Sequence, residues 1–380
     1  MDKNFDTIVV GVGGMGSATC YQLAKRGQKV LGLEQFDIPH TYGSSHGHTR
    51  IIRLAYYEDP SYVPLLRRAY DLWEEIESIY GQQLLFKNAS IDVGPADGEV
   101  FNGSLASCIE HGIGHEVLTG KELNRRFPGY QVPNEFKALY QEDGGFLVPE
   151  RATTAFVEVA HQYGATIQAR EKVLSWTPLR DGVKVVTNKG VYEAAKLIIT
   201  AGAWNAQLLP ILAGLAVAER QVLAWLQPLE PALFQPQNFP VFNMQVGEER
   251  FYGFPVFGIP GFKFGKYCHL KERGEPESFD REPNEKDETI LRDFAAKFFP
   301  KGNGPTMSLK TCMFTNSPDD HFILDVHPEH PQIIFGAGFS GHGYKFASVI
   351  GEIMADLAID GDTQHNINLL RFKRLKSLVV

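Results

Sequence analysis

The feature that most restricts how this chain can fold is a glycine turn near its start. A strand-like run, Thr7–Val10, meets Gly11-x-Gly13-x-x-Gly16 and continues as a helical pattern from Ser17 to Lys25. Gly27 stops that helix, Lys29–Leu33 reads as the next strand, and Glu34 closes it. Such a β-α-β unit puts its strands side by side and parallel, with a right-handed crossover. The first glycine permits the tight turn, the second lets a diphosphate approach the backbone, and the third lets helix and strand pack closely. Backbone donors at the helix start face the phosphates, and the Glu34 carboxylate is placed to accept both hydroxyls of an unphosphorylated ribose. Strand, helix and acid together predict an adenine dinucleotide site. The competing explanation is a glycine-rich packing turn.

A second cluster lies at the far end of the chain. Gly338-Phe339-Ser340-Gly341-His342-Gly343-Tyr344-Lys345-Phe346 precedes a helical stripe of Phe346, Val349, Ile350, Ile353, Met354 and Leu357. A third glycine, in AGAW (201–204), follows the strand-like Leu197–Thr200. FAD is long enough to need contacts from separate parts of a chain, whereas an NAD fold would follow the first unit with further repeats of it. The spacing therefore favours FAD. Backbone N–H groups at the start of the last helix would stabilise negative charge on a reduced flavin ring. His342 either adds a hydrogen bond there or caps the turn. A glycine turn that merely docks a core helix remains the alternative. Lys345 reads as an exposed lysine or as a cation facing substrate.

Between these ends the pattern changes. Asp59-Pro60 opens a long amphipathic helix through Leu65, Leu66, Ala69, Leu72, Trp73, Ile76 and Ile79. Val173–Trp176, Val183–Thr187 and Leu197–Thr200 read as strands. From Arg220 to Tyr267 come aromatic, partly alternating strands that suggest an antiparallel sheet. The polar stretch 270–289 reads as a solvated loop before a short helix through Phe299. At 380 residues the chain is long for one core. The expectation is a discontinuous α/β FAD-binding, Rossmann-like domain, 1–86, 151–216 and 321–380. Segments 87–150 and 217–320 then form an antiparallel-sheet α+β substrate domain. A net charge of -8 argues against nucleic acid as a general partner. No apolar run is long enough to span a membrane, and the start is too short and acidic for a secretory leader. The four cysteines, Cys20, Cys108, Cys268 and Cys312, form no C-x-x-C pair, so a reducing, cytoplasmic setting is expected.

Taken in order, IVVGVGGMG, PHTYGSSHGHTRIIR, YVPLLRRAYDLW, QEDGGFL, AGAWNAQLL, FYGFP, FKFGK, TCMFTNSPDDHFILD and GFSGHGYKFASVIGE run nearly the whole chain. The series resembles the monomeric sarcosine oxidase and N-methyltryptophan oxidase family, within the D-amino-acid-oxidase-like flavoproteins. That resemblance implies a monomer that oxidises a secondary α-amino acid to an imine, which hydrolyses, with O2 reduced to hydrogen peroxide and no metal. It implies covalent FAD through Cys312; by itself a lone cysteine reads as buried packing. Arg53 and Lys345 become the pair holding the substrate carboxylate, and Arg50 an arginine beside the flavin ring. Lys263 becomes the lysine that promotes reaction with oxygen, and Tyr252 a pocket wall. The candidate catalytic set is Lys263, Arg50, Tyr252, Tyr267 and His342. The cofactor set is Gly11, Gly13, Gly14, Gly16, Glu34, Ser44, Arg50, Val173, Gly202, Gly341, Gly343 and Lys345. Three positions depart from the family pattern: Tyr267 stands where a histidine is usual, His48 replaces an acid, and Phe314 replaces a tyrosine. These weaken sarcosine itself as the preferred substrate. Oxidases of cyclic or sugar-modified amino acids, dehydrogenases using another acceptor, and a non-catalytic nucleotide-binding module are the competing readings.

Overall fold

The computed structural model describes residues 4–375. Asn4–Val10 and Val30–Leu33 pair in parallel, Thr7 opposite Val30 through Val10 opposite Leu33, with helix Gly14–Lys25 crossing between them. The helix begins three residues earlier than its apolar pattern, because the glycines themselves take helical conformation. Val191–Ile199 lies on the other side of Asn4–Val10, also parallel. One edge of Val191–Ile199 is shared by two partners. Its first half carries the antiparallel meander Val173–Leu179 and Gly182–Thr187, and its second half pairs in parallel with Ile333–Ala337.

Side-chain alternation along these strands sends successive residues to opposite layers. Val9 and Ile198 enter a core with helices Gly14–Lys25, Val63–Tyr80, Pro149–Gln162 and Ala347–Ile359. Ile8, Val10, Leu197 and Ile199 face the layer that contains Val183 and Val185 of the meander. The sheet is thus buried on both faces, as parallel strands require. Each fully buried aliphatic side chain contributes about 1.5–3 kcal/mol; Ile350 and Ile353, of the stripe seen in sequence, are both wholly buried. Asp59 caps the turn Pro60–Tyr62 by accepting from the Ser61 N–H, and Gly81, at φ 75°, ends the long helix that follows.

The second sheet has nine strands. Val217–Leu226 pairs antiparallel with Thr306–Asn316 on one edge and with Phe262–Lys266 on the other, followed outward by Glu249–Phe254 and Val241–Val246. Val241–Val246 then pairs in parallel with Ser90–Gly94, the one parallel junction in a sheet otherwise antiparallel. These two strands come from separate insertions, so no hairpin dictates their relative sense. Val222, Ala224, Phe262, Phe264 and Phe251 turn outward onto helix Glu285–Phe298, where Phe251 and Phe294 stack at 3.8 Å. Leu223, Trp225, Tyr252, Phe254, Cys312 and Phe314 share the opposite, inner face.

The stretch 270–289 is a mostly exposed loop over 275–284, as expected, and departs from a loop at its two ends. Arg273–Gly274 pairs with Ala218 and Glu219, and Asn284 starts the 14-residue helix with a capping box. Asp287 is wholly buried, accepting from Arg220 at 2.8 and 2.9 Å and meeting His269 Nε2 at 3.0 Å. Asp287 thus serves the helix N-terminus and an internal ion pair, while Glu272, Glu275, Glu277, Asp280 and Glu282 stay exposed. A small third sheet, Arg50–Ile52, Gly145–Leu147 and Leu85–Lys87, anchors the start of the segment that carries Arg50 and Arg53. Among the described residues no helix is long and apolar enough to cross a membrane.

Candidate active site

A deep cavity of about 1420 Å³, its mouth included, runs along the carboxyl ends of the parallel strands. Gly11, at φ 86°, turns the chain there, and Gly16 packs so tightly that a Cβ on it would sit 1.8 Å from the Gly11 carbonyl oxygen. Glu34 lies on the wall. Its two oxygens accept the Val12 and Phe36 N–H groups at 2.9 and 3.0 Å, each retaining a lone pair for a ribose hydroxyl. Burial raises its pKa against those backbone donors. Of the cofactor candidates, Gly11, Gly13, Gly14, Glu34, Ser44, Arg50, Val173, Gly202, Gly341 and Gly343 line this one cavity. Gly16 supports it from behind, and Lys345 lies outside its lining. An elongated, glycine-walled cleft with an acid at one end fits a dinucleotide.

At the other end, three basic or nucleophilic groups meet under the inner face of the second sheet. Arg50 donates to the Ser44 and Thr49 carbonyls at 2.7 and 2.9 Å and lies 3.6 Å from Cys312 Sγ. Burial pushes the Cys312 thiol up, yet His46 and Arg50 more than offset this and bring it to about 6. Lys263 donates to Thr49 O at 2.7 Å and Thr49 Oγ1 at 2.9 Å, over the Phe254 ring. It is buried, which lowers its pKa well below the ordinary lysine value, as does Arg50 beside it. Gly47, at φ 98°, makes room: a Cβ there would lie 3.3 Å from Arg50 and 3.0 Å from Leu223. Glu150 holds the turn by accepting from the Gly47 and His48 N–H groups.

A second pair of cations lies on the same side. Arg53, 1% exposed, donates to Glu58 at 2.9 Å and faces Asp92 at 3.3 Å. Lys345 is buried as well, so it is not the solvated lysine that remained open in sequence; its Nζ donates to the His342 carbonyl at 2.6 Å. Both cations lie over the Tyr56 ring, at 4.9 and 5.1 Å. Burial and then Arg53 lower Lys345 to about 7, while Glu58 and Asp92 oppose them. His342 spends both ring nitrogens internally, on the Tyr56 hydroxyl and the Asp320 carbonyl, and burial lowers its pKa to about 4. It orders the turn below Lys345.

Residues 6–357 match the family described as FAD dependent oxidoreductase. The chain belongs to that family. Within it the relatives are amine oxidases. A monomeric sarcosine oxidase of Streptomyces avermitilis is 40% identical over 99% of both chains. An N-methyl-L-tryptophan oxidase of Citrobacter koseri is 35% identical over 93% of this chain and 94% of its own. Among solved structures, NikD, an unusual amino acid oxidase, superposes with a TM-score of 0.83 at 25% identity over 97% of each chain. This member of the sarcosine oxidase and N-methyltryptophan oxidase group is accordingly an FAD-dependent enzyme of the amine-oxidase type.

In this family member the remaining candidates form an aromatic wall. Tyr252 meets Tyr267 at 4.9 Å, and Tyr267 meets Phe314 at 5.7 Å, while Phe314 also borders the cofactor cavity. His48 is exposed, edge-on to Trp225 at 6.2 Å, and donates only its backbone N–H to Glu150. Sequence reading missed His46, Thr49, Glu58, Asp92 and Glu150. His46 and Thr49 sit inside the motif that carries Arg50, and Glu58 sits beside the cap Asp59; Asp92 and Glu150 act through contacts between distant segments.

Proposed function

We propose that the enzyme oxidises an N-methyl or other secondary α-amino acid, sarcosine-like, to an imine that water hydrolyses, while O2 becomes hydrogen peroxide. The observation that carries this reading is the convergence of Arg53 and Lys345 over Tyr56, beside the corner holding Arg50, Cys312 and Lys263. FAD, when bound, supplies the two-electron acceptor and the route to oxygen. Gly11, Gly13, Gly14, Gly16, Glu34, Ser44, Val173, Gly202, Gly341 and Gly343 would hold it.

Arg53 offers the substrate carboxylate a planar fork and Lys345 a compact charge. Fixing the acid end orients the carbon–nitrogen bond, and such positioning contributes several orders of magnitude in rate. The arriving carboxylate favours the charged form of Lys345, which burial otherwise opposes. Tyr252 and Tyr267 close the side of the pocket and exclude water. Segments 1–86, 151–216 and 321–380 would carry the cofactor, and 87–150 and 217–320 the substrate face. The same reading makes the enzyme a cytoplasmic monomer without nucleic-acid or membrane partners. In support, the net charge is -8 and the four cysteines form no C-x-x-C pair.

Cys312 would carry the covalent link. Its sulfur would replace one hydrogen of the cofactor's methyl carbon, with the proton passing to solvent and two electrons to O2. The thiolate is the reacting form, and it is present above about pH 6 and lost below. Attachment of added FAD to apoprotein, read as yellow colour surviving acid precipitation, is expected to be level from neutral pH upward and to slow below pH 6. Cys312→Ser should abolish it. Complete attachment in that variant excludes this role.

The whole reading is tested by anaerobic mixing with sarcosine, N-methyltryptophan, pipecolate and proline. At least one should bleach the flavin absorbance, and admitting air should restore it with peroxide formed. No bleaching by any of them removes the assignment. Bleaching without recovery in air points to another acceptor.

A further inference from the structure

Arg250 is one of four cations in this region with no carboxylate in ion-pair contact among the described residues; the other three, Arg50, Lys263 and Lys345, spend donors on backbone carbonyls. Arg53 has Glu58 and Asp92, and Arg220 has Asp287. Among the described residues no carboxylate lies within 4.0 Å of Arg250, although Glu58, Glu99 and Asp320 feel its charge from farther away. Its strand, Glu249–Phe254, alternates. Phe251 faces the outer core, so Arg250 shares the inner face with Tyr252 and Phe254. The guanidinium lies 5.6 Å over Tyr57 and 5.3 Å over Tyr267, and it donates to the Tyr57 hydroxyl at 3.3 Å. That is one bond from a group with five N–H donors. The Arg250 carbonyl also accepts the Tyr267 N–H at 2.9 Å, which fixes the ring against the cation.

We propose that Arg250 receives a second carboxylate of the substrate, so that the preferred class is an N-alkyl amino acid with an acidic side chain. This rests on the functional reading above. Arg53 lies 4.9 Å from the centroid of the same Tyr57 ring, so both guanidiniums gather around one side chain, and a dicarboxylic amino acid would meet each of them with one carboxylate. A half-buried guanidinium packed over two aromatic rings is preorganised for a carboxylate, and only one of its five N–H groups is spent, on the Tyr57 hydroxyl. A neutral side chain would leave the cation without a counter-charge.

The test uses the FAD-loaded enzyme and its Arg250→Gln and Arg250→Lys variants. Substrates are sarcosine, N-methyl-L-aspartate, N-methyl-L-glutamate and the neutral isostere N-methyl-L-glutamine. At least one acid is expected to exceed the glutamine derivative in kcat/KM by about 10-fold or more in the parent enzyme. Arg250→Gln should bring that ratio close to one through KM, with a much smaller loss on sarcosine, and Arg250→Lys should restore part of it. A readout without turnover comes from flavin absorbance titrated with oxydiacetate and methoxyacetate. The diacid should bind more tightly than the monoacid in the parent, and the two alike in Arg250→Gln. Equal rates for acid and amide in the parent enzyme overturn the inference and leave the amine-oxidase reading standing. Equal losses on sarcosine and the acids also overturn it, because they mark Arg250 as a support for the tyrosine wall. If none of these compounds bleaches the flavin anaerobically, this inference falls together with the substrate class.

Discussion

Arg53→Met is expected to damage binding and stability together. A charged hydrogen bond to a carboxylate is worth about 1.5–3 kcal/mol, so KM for sarcosine should rise about 10- to 100-fold. Stability should also fall, because Arg53 is wholly buried between Glu58 at 2.9 Å and Asp92 at 3.3 Å. Removing one partner of a buried ion pair costs about 3–5 kcal/mol, since the charges left behind have no water. Asp92 already has its pKa raised by burial despite Arg53, and without the arginine it would take up a proton. Glu58 keeps its carboxylate below the ordinary range against burial only because Arg53, His342 and Lys345 oppose it. The variant should therefore lose stability most steeply at high pH and recover part of it in mild acid, where the orphaned carboxylates are neutral. Denaturant midpoints across pH, beside steady-state kinetics, check both parts. An unchanged KM for every amino acid tested would remove Arg53 from the carboxylate site.

Lys263→Met is expected to separate the two halves of the reaction. Lys263 sits on the inner sheet face, with Nζ held by both oxygens of Thr49 and Arg50 close beside it. Its pKa is pushed well below the usual lysine value by burial, and negative charge appearing next to it favours the ammonium. Transfer of the first electron to oxygen creates such a charge. A preorganised donor in a site without water is worth about 10²–10³ in rate. The variant should react with oxygen that much more slowly, while anaerobic reduction by substrate changes only a few-fold. Methionine fills the same slot and keeps the packing against Phe254, so the folded state should persist. Equal slowing of both halves, measured by stopped-flow absorbance, would mean that Lys263 supports the site without acting on oxygen.

Several positions were legible before folding because their roles follow from local geometry. Gly11 must adopt positive φ and Gly16 must present no Cβ, and both requirements can be read from a strand-glycine-helix order. The Asp59-Pro60 cap and the apolar stripe before Ile359 belong to the same class. The polar run before Phe299 misled at its ends for the opposite reason. Asp287 looks like one acid in a charged stretch, yet it is buried against Arg220 and His269, which come from other strands.

Lys345 and Arg250 show where sequence runs out. Each is a basic residue among aromatics, and composition alone leaves either one free to point at solvent. Their places came from pairings between segments far apart in the chain: Tyr56 beneath both Arg53 and Lys345, Tyr57 beneath Arg250. Sequence by itself determined the cofactor turn, the parallel β-α-β unit and the family, because short-range stereochemistry dictates them. Tertiary structure alone decided which charges are buried and which meet a counter-charge. Burial and counter-charge depend on everything that packs around a group, and no local pattern encodes that.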